Sequence, residues 1–467
     1  MLLTLTFLII MCLSFFAFED LILDLFFYFK GLNPKQLTFS QWKLMKKLPE
    51  KPIAIIIANW KEADVIERMI LGNMKRISYK NYHFFIGVYP NDDETLNAAK
   101  RVESRFPHNI HIIINTESGP TSKGQMLNQI IQGTFRQESA LNQKFEIYLM
   151  HDSEDILHPM SLTVINSEIS NVDFLQTPIF SFKRNFSDWV GATYVDEFAE
   201  LHTKDLILRQ ALGAPVPSAG VGTAINRKLM LSLMNQNHGS FLREDSLTED
   251  YVLGISSAQH GFKSGFCCYY FKNKKLKYEF IATREYFPNQ FNSAVRQKSR
   301  WILGIVFQGT MMIDWMGSAI HKFYLYRDRR GPLINFISFA SIVLSLYYLF
   351  EKYLLHVNHN LNEYTWFKFG SLIAIIGLVN RMAHRIIAVG RVNGWSLEIL
   401  QIPLRWPLGV LINVVASMRA INQFQRFIFA NEPLRWIKTT HILPENFGLD
   451  ANSEKQIEKE TENAVEN

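Results

Sequence analysis

Short apolar runs alternate with amphipathic stretches between residues 52 and 150. The runs at residues 53–58, 82–88, 110–114 and 147–150 are rich in β-branched and aromatic side chains. A strand that is apolar at nearly every position is buried on both faces, which is typical of a parallel sheet covered by helices. The pattern therefore predicts an α/β fold with a mainly parallel, Rossmann-like sheet.

Polar residues follow each of these runs. Ligands of α/β proteins bind outside the carboxyl ends of the strands, so these positions are the candidates for a binding site. Because the carboxyl ends of parallel strands meet at one edge of the sheet, we expect the polar residues to lie close together. They are Asn59, Trp60, Lys61 and Glu62 after the first run, Asn91, Asp92 and Asp93 after the second, Lys123 and Gly124 after the third, and His151, Asp152, Ser153, Glu154 and Asp155 after the fourth.

The fourth group carries the most negative charge. Asp152, Glu154 and Asp155 follow a buried strand directly. Hard divalent ions such as Mg²⁺ or Mn²⁺ bind through one or two carboxylates and leave positions open for substrate phosphates. We therefore expect a divalent cation at this strand end. The alternative is an acidic turn that water solvates, which is common for an isolated acidic segment.

The other groups fit a nucleotide. Asp92 or Asp93 suits a base or a ribose, and equally suits the N-cap of the next helix, where Asp is favoured. Lys123 is expected near a helix N-terminus, where the dipole disfavours a cation unless an anion such as a phosphate lies beside it. The alternative is an ordinary first-turn lysine. Together these groups predict a site for a nucleoside diphosphate that carries a further group.

Two more groups lie further along the chain. Glu249 and Asp250 form an acidic pair at the start of an apolar segment, a pattern that is also typical of the first turn of a helix. Gln297, Arg300 and Trp301 begin an amphipathic stretch that runs to about residue 320. Arg beside Trp on an apolar helix is also typical of an anchor at a membrane interface. Each pattern is weak when it is taken alone.

In this order the groups resemble the motifs of the processive family 2 glycosyltransferases, which include cellulose, chitin and hyaluronan synthases. The resemblance covers about residues 52–441 and implies a GT-A glycosyltransferase fold. Within the family, the chain looks most like the branch of bacterial inner-membrane proteins that serve in bacteriophage adsorption. The motifs are Asn91-Asp92 after Tyr89-Pro90, Thr121-Ser122-Lys123, His151 to Asp155 with His158-Pro159, Thr248-Glu249-Asp250, Gln297-x-x-Arg300-Trp301 and Trp436-x-Lys438-Thr439-x-His441.

The resemblance also implies a UDP-sugar donor, a polysaccharide or glycan acceptor, and Mg²⁺ or Mn²⁺ as cofactor. The second position of the family's Asp-x-Asp motif is Glu154 here and Asp155 follows it, so which of the two completes the metal site stays open. The implied roles are uracil binding by Asp92, nucleotide binding by Glu62 and Lys123, metal binding by Asp152 with Glu154 or Asp155, proton abstraction by Asp250 with Glu249 beside it, and binding of the acceptor or the leaving diphosphate by Gly222, Thr223, Gln297, Arg300 and Trp301.

Long apolar stretches predict membrane helices on both sides of the α/β region. Lysines follow the first stretch and no Lys or Arg precedes it, so the positive-inside rule places the α/β region in the cytoplasm. The stretch 397–418 contains Pro403, Arg405 and Pro407, and predicts a kinked span, a re-entrant hairpin or an interfacial helix. The expected domains are a transmembrane helix at 1–30, a cytoplasmic GT-A domain at 50–300, an amphipathic interfacial region at 301–330, transmembrane or re-entrant helices at 331–430, and a cytoplasmic tail at 431–467 that is disordered from about residue 444.

Composition excludes some classes of function. The net charge of +6 is spread along the chain without a dense basic stripe, so nucleic acid is not an expected partner. The three cysteines do not suggest a disulfide framework, in keeping with a reducing environment. We predict a multi-pass protein of the bacterial inner membrane that builds a surface or exported polysaccharide from a UDP-sugar, with the lipid bilayer and an outer-membrane or export component as partners. The alternatives are single addition of a sugar to a polyprenyl phosphate, and a catalytically silent membrane scaffold or phage receptor component.

Overall fold

The computed structural model describes residues 1–183, 185–272, 278–434, 442–444 and 447. The predicted motif from Trp436 to His441 lies outside the described residues, as does the Glu-rich stretch from residue 448. The described strands are β1 Lys35–Gln36, β2 Ile53–Ala58, β3 Tyr82–Val88, β4 Ile110–Ile114, β5 Ile147–His151, β6 Phe174–Gln176, β7 Ile179–Ser181, β8 Thr223–Asn226, β9 Ser264–Phe266, β10 Tyr269–Lys272, β11 Tyr278–Phe280 and β12 Thr283–Glu285.

The helices lie between and after these strands. Short π-helical segments at Leu201–Asp205 and Leu303–Gln308 continue two of them. The described α-helices are α1 Leu2–Phe29, α2 Phe39–Lys46, α3 Ile66–Arg76, α4 Asp93–Arg105, α5 Lys123–Leu141, α6 Ser161–Glu168, α7 Trp189–Glu200, α8 Leu206–Ala211, α9 Arg227–Gln236, α10 Glu249–Gln259, α11 Phe291–Ile302, α12 Gly309–Met312, α13 Ala319–Arg329, α14 Gly331–Leu354, α15 Thr365–Asn393 and α16 Ile402–Ala430.

The main sheet confirms the predicted α/β class. Within the described residues it has the strand order β4-β3-β2-β5-β8-β6-β9. The β4, β3, β2 and β5 strands are parallel to one another, whereas β8 runs antiparallel to both β5 and β6. The first four strands are those that the sequence predicts, and their carboxyl ends lie at one edge. The sheet is therefore mainly parallel, with one reversed strand.

Helices cover both faces of this sheet. Successive side chains of a strand point to opposite faces, and in β2 Ile53, Ile55 and Ile57 enter one core cluster while Ala54 and Ile56 enter the other. Residues of α3 and α4 complete the first cluster, and residues of α5 and α9 complete the second. Burial on both faces explains why β2 is apolar at every position.

A second, local pairing lies beside the end of β5. The β12 strand is parallel to β7, with Glu285 opposite Ser181. An isolated antiparallel bridge also joins Ile156 to Arg284, where each backbone N–H donates to the other residue's carbonyl oxygen at 2.9 and 3.0 Å. This bridge ties β12 to the segment that follows the predicted carboxylate group.

The long apolar helices match the predicted membrane segments in part. Among the described residues, four segments are long and apolar enough to cross a membrane, namely α1, α14, α15 and the stretch Leu397–Ala430. This content is typical of a membrane-associated protein. The α1 and α15 helices are parallel, because Phe7 contacts Trp366 near their N-terminal ends while the Tyr28 hydroxyl lies 3.1 Å from His384 Nε2 toward their C-terminal ends.

The α16 helix differs from the other three, because both of its halves contact the α/β domain. Arg405 forms a buried ion pair with Asp196 of α7. Near the other end, Phe424 stacks on Phe307 at 4.8 Å between ring centroids. Half of the most apolar 18-residue stretch within Leu397–Ala430 is buried, whereas none of the corresponding stretch of α14 is buried.

The predicted amphipathic stretch from Gln297 to about residue 320 is not one continuous helix. It ends at Met312 and a new helix starts at Ala319. Two local features explain the break. Gly317 adopts a φ of +94°, and the Ser318 hydroxyl caps the new helix by accepting a hydrogen bond from the His321 backbone N–H.

A charged cluster, here called the membrane joint, connects α1 to the α/β domain. Asp24 accepts hydrogen bonds from Lys204 at 2.7 Å and from Asn380 at 2.5 Å. Glu200 lies within 4 Å of three cations, which are Arg385, Arg381 and Lys204. Further pairs of the joint are Glu19 with Arg327 and Arg330, and Asp20 with Arg327, Arg330 and Arg381.

Candidate active site

Asp92 joins the loops that follow β2 and β3. Its side chain is the N-cap of α4, where Oδ1 accepts a hydrogen bond from the Thr95 backbone N–H at 3.4 Å. Its Oδ2 accepts a second bond from the Lys61 backbone N–H at 2.5 Å. The capping alternative is therefore correct for this carboxylate, which also fixes the loop that contains Glu62. Glu62 is buried, and its backbone N–H donates to Thr95 Oγ1 at 2.9 Å.

Aromatic side chains form a wall beside Asp92. Trp60 meets Tyr89 edge to face, with 5.2 Å between ring centroids. The Tyr89 hydroxyl lies 2.7 Å from Thr121 Oγ1, which in turn donates to Gln125 at 2.6 Å. These contacts hold the segment before α5 against the end of β3. The partly exposed Trp60 ring, next to the carboxylate that caps α4, is suited to contact a planar base.

Lys123 lies at the start of α5 and points across the edge of the sheet. Its Nζ is 2.5 Å from Asp152 Oδ1, and the two side chains are 22% and 27% exposed. Burial alone would lower the pKa of the Lys123 ammonium, but the negative charges of Asp152, Glu249 and Asp250 raise it above its ordinary value. Lys123 is therefore positively charged at physiological pH. Its charge interacts with carboxylates of both the β5 loop and the start of α10.

Hydrogen bonds hold the carboxylate loop from behind. Asp155 is fully buried, and its Oδ2 lies 2.7 Å from His151 Nδ1 and accepts the Asp152 backbone N–H at 2.9 Å. Ser153 donates to Asn59 Oδ1 at 2.9 Å. Asp152 lies at the partly exposed front of this loop. The position of Asp155 favours support of the loop. Glu154 is also buried, so Asp152 is the carboxylate of this loop that stays partly exposed.

Glu285 is a carboxylate of this site that sequence reasoning missed. It lies at the end of β12, next to the Ile156–Arg284 bridge. Burial raises the pKa of Glu285 well above its ordinary value, and the charges of Asp155 and Asp152 raise it further. Nothing in the local sequence marks this residue, because only the pairing of β12 brings it to the carboxylate loop.

Glu249 and Asp250 occupy the first turn of α10 and face Lys123. Burial, with the neighbouring charge of Asp250, raises the pKa of Glu249 to about 7. The pKa of Asp250 is also raised by burial, although the charges of Lys123 and Arg300 oppose the shift. Gly220 lies against Asp250, with a φ of +81°, and a Cβ there would come within 2.6 Å of Asp250 Oδ2. The loop thus approaches the carboxylate as closely as a glycine allows.

Gly222 and Thr223 lie deeper than a substrate contact requires. The Thr223 hydroxyl is fully buried, donates to Gln176 Oε1 at 2.8 Å and lies 2.8 Å from Ser218 Oγ. Gly222 has a φ of +60° and packs on Thr177. These positions favour a role in shaping the loop beneath Asp250 and do not place either side chain at the open edge.

The Gln297, Arg300 and Trp301 side chains lie on α11 beside α10. Arg300 donates to the Leu247 carbonyl at 3.4 Å, and its charge acts on both Glu249 and Asp250. Trp301 packs among Tyr194, Phe198 and Phe287. Within the described residues, the buried Gln297 Oε1 has no hydrogen-bond partner. Arg300 therefore belongs to the charged site, whereas Trp301 anchors its helix.

We call the carboxylates around Lys123 the acidic edge, defined as Asp152, Asp155, Glu249, Asp250 and Glu285. In the part of the chain that the structure describes, no three His, Cys, Asp or Glu side chains form a complete metal site. An acidic edge with carboxylate oxygens nevertheless fits Mg²⁺ or Mn²⁺, since these ions bind proteins through one or two carboxylates and take further oxygens from substrate phosphates. The donor set is wrong for a soft metal, because no Cys lies in it.

Comparison with known families decides the assignment. The family model described as "Glycosyltransferase like family 2" matches residues 49–304, which include the whole acidic edge. The chain belongs to glycosyltransferase family 2. The predicted family and its GT-A fold, with a mainly parallel sheet, are thereby confirmed.

Two curated relatives are similar over most of the chain. Bacteriophage adsorption protein B of Escherichia coli strain K12 and bacteriophage N4 adsorption protein B of Escherichia coli O157:H7 are each 34% identical to it. The alignments cover 91% of this chain and 60% of each relative, so the chain spans about 60% of the relatives' length. The resemblance to the bacteriophage-adsorption branch of the family is confirmed.

Solved structures of glycosyltransferases are also similar, at low identity. A mannosyltransferase from Pyrobaculum calidifontis, in complex with GDP-Man and Mn²⁺, matches with a TM-score of 0.47 and 13% identity, covering 91% of this chain and 100% of that one. The S. aureus TarS 1–349 structure, in complex with UDP-GlcNAc, matches with a TM-score of 0.37 and 10% identity, covering 80% and 91%.

Proposed function

We propose that this family 2 glycosyltransferase transfers a sugar from a UDP-sugar to a glycan at the cytoplasmic face of the bacterial inner membrane, with inversion at the anomeric carbon. One observation carries the proposal. Lys123 forms an ion pair with Asp152 of the loop after β5, and it interacts electrostatically with Glu249 and Asp250 at the start of α10. A diphosphate requires a cation and a nearby metal-binding carboxylate, and the acceptor hydroxyl requires a base. Lys123 supplies the cation, and the acidic edge supplies carboxylates for the metal and for the base. These charges interact with one another.

The donor would lie across the edge from β3 to β5. The aromatic wall of Trp60 and Tyr89 is suited to stack on or beside uracil, and Asp92 with Glu62 closes that end. Lys123 would compensate charge on the diphosphate. A divalent ion, bound by Asp152 and Glu154, would neutralise the charge that develops on the leaving phosphate. These assignments of Glu62, Asp92, Lys123, Asp152 and Glu154 are part of the proposal.

Asp250 is proposed as the base. In the transfer step, the acceptor hydroxyl gives its proton to an Asp250 carboxylate oxygen and its oxygen bonds to the anomeric carbon. The bond from that carbon to the β-phosphate oxygen breaks, and UDP leaves. Burial raises the pKa of Asp250, which makes the carboxylate a stronger proton acceptor. Glu249 and Arg300 set the charge around it, while Gln297 and Trp301 would frame the acceptor end.

We also propose the arrangement in the membrane. The α1, α14 and α15 helices would cross the bilayer, and α16 would lie at its cytoplasmic surface because both of its halves contact the α/β domain. An even number of crossings after Arg330 keeps both ends of this region on the side of the catalytic domain. Surface or exported polysaccharide is the proposed product, and an outer-membrane or export component the proposed partner.

The test is release of UDP by the full chain in membranes, with Mg²⁺, Mn²⁺ or EDTA, across a panel of UDP-sugars. We expect release with one donor, dependence on the metal, and a loss of about 10²–10⁴-fold in the Asp250→Asn variant, the range typical of a lost general base. UDP binding by that variant should be retained. The exposed Asp314→Asn variant is the matched control.

Wild-type turnover in Asp250→Asn would remove Asp250 from the role of base. Silence with every donor, in the presence of either metal, would contradict the enzyme and favour a membrane scaffold. If the reaction forms a single lipid-linked sugar and no ladder of products, the acceptor is a polyprenyl phosphate and not a growing polysaccharide.

A further inference from the structure

A short segment after α16 lies on the outer face of α3. Arg68, Gly72 and Arg76 follow one another at intervals of four residues, so they form one stripe on that helix. Leu443 is 4% exposed and belongs to the core cluster that α3 shares with the sheet. Sequence composition predicts disorder from about residue 444, yet Pro444 and Phe447 both contact this stripe.

Arg68 holds the backbone of the segment. Its Nη2 donates to the Pro444 carbonyl at 2.7 Å, and its Nε donates to the Phe447 carbonyl at 3.3 Å. Both bonds are donated by one guanidinium, whose fixed geometry sets the spacing of the two carbonyl oxygens that accept them. The Arg76 guanidinium lies 5.7 Å from the centre of the Phe447 ring. Cations at two positions of the stripe therefore bracket the segment.

Gly72 gives the Phe447 ring its place. A Cβ at residue 72 would come within 2.5 Å of a ring carbon, so the ring packs directly on the helix backbone. Glycine is disfavoured in the interior of a helix. Close packing of the ring accounts for its presence here.

The next residue of α3 holds the carboxylate loop. Asn73 is fully buried, its Nδ2 donates to the Asp155 carbonyl at 2.8 Å, and its Oδ1 accepts the Leu157 backbone N–H at 2.9 Å. The segment and the loop thus contact adjacent residues of the same helix. A change in the position of α3 would move both.

We propose that Leu443, Pro444 and Phe447 form a clasp on α3 that fixes this helix and, through Asn73, the position of the carboxylate loop. The docking surface is the stripe of Arg68, Gly72 and Arg76, and its partner is this chain's own C-terminal segment. The clasp returns the chain to the catalytic domain after the membrane-proximal α16. Asn73 is a positioning residue for the loop, and Phe447 acts on the loop through α3.

Hydrogen exchange of the full chain in detergent tests the clasp without substrate, and so independently of the proposed transfer reaction. In Phe447→Ala we expect the Leu157 amide and the α3 amides to exchange about tenfold faster, as for loss of a local packing contact. The matched control is Phe429→Ala. Phe429 lies at the end of α16 and is 83% exposed, so its removal deletes the same side chain without the contact on α3. The Phe447→Leu variant should restore most of the protection.

Gly72→Ala probes the same contact from the helix side. Alanine favours the helix by itself, so greater protection of α3 with an undisturbed segment would contradict the clasp. We expect the opposite, which is faster exchange at Leu157 and in α3. Strand β4 serves as the internal reference, because a uniform increase there would show global destabilisation and overturn a local role. Unchanged exchange at Leu157 in Phe447→Ala would overturn the coupling.

Discussion

The acidic edge and the membrane joint are both buried groups of charges, but their charges are balanced differently. Glu249 of the edge is 5% exposed and Glu200 of the joint is 2% exposed. Burial, with the charge of Asp250, raises the pKa of Glu249 to about 7. Burial acts on Glu200 in the same direction, yet the charges of Arg381, Arg385 and Lys204 lower its pKa to about 2. The difference lies in the neighbouring cations, since burial is similar.

This difference indicates what each group is for. In the joint every carboxylate lies next to Lys or Arg, so each negative charge has a positive partner within the folded chain. The edge places Lys123 and Arg300 among a larger set of carboxylates, and several of those carboxylates resist ionisation. Carboxylates whose pKa values are shifted by burial and by neighbouring negative charges are typical of functional sites. A bound cation would offset the negative charge of the edge, as Lys and Arg side chains already do in the joint.

Among the variants that distinguish the edge from the joint, the largest effect should come from Asp152 at the front of the edge. We expect Asp152→Asn to lower metal-dependent UDP release by about 10²–10³-fold, as for loss of one electrostatic contact to a leaving group, with little change in thermal stability. The reason is that Asp152 is 27% exposed and its structural neighbours stay in place. Asp314→Asn is again the control. A large loss of stability with retained turnover would make the edge a structural group like the joint.

Glu200→Gln should show the reverse pattern. Removing this charge takes away the shared partner of three cations, two of which, Lys204 and Arg385, are largely buried. Loss of a buried partner of this kind typically costs about 3 kcal/mol of the free energy of unfolding. Because the pKa of Glu200 is lowered in the folded state, the deficit should be full above pH 4.5 and should vanish as the pH falls toward 2. Thermal unfolding at several pH values measures it. The exposed Glu94→Gln variant is the control, and UDP release per folded molecule should be unchanged.

Glu249→Gln should change stability in the opposite direction. Its pKa is raised in the folded state, so ionisation costs stability as the pH rises from 4.5 to about 7. The variant should be more stable than the wild type by roughly 3 kcal/mol at pH 8, and nearly equal to it near pH 4.5. Thermal unfolding at these two pH values gives the comparison. A variant that is less stable at pH 8 would show that the ionised Glu249 is paired as Glu200 is.

The sequence predicts the local parts of this site well. The β3 and β4 strands have their predicted bounds, α4 and α5 start at the predicted residues, and the polar groups meet at one edge because parallel strands must bring them there. The sequence fits Asp92 equally to a ligand role and to a helix cap, and its capping bond is predictable because Asp is a favoured N-cap. Such features depend on a few neighbouring residues.

Long-range pairing accounts for what the sequence did not predict. Glu285 reaches the carboxylate loop only through β12, a short strand whose register is set by β7 and by Ile156. The clasp depends on a segment whose composition predicts disorder. The membrane joint combines residues from α1, α7 and the π-helical segment that continues it, α13 and α15, together with Arg330 between α13 and α14. None of their local sequence patterns identifies the partner of any of them. Apolar periodicity shows that a face is buried, but does not show which element covers it.

The membrane joint also constrains the order in which the protein is made. Asp24 is synthesised in the first helix, whereas its partners Lys204 and Asn380 follow 180 and 356 residues later. Chains are synthesised from the N-terminus and their domains fold as they emerge. In the proposed membrane arrangement, α1 would enter the bilayer before the cations that pair with its carboxylates have been synthesised. The joint would then be completed only after α15 has been made, which would place docking of the α/β domain on these helices late in biogenesis.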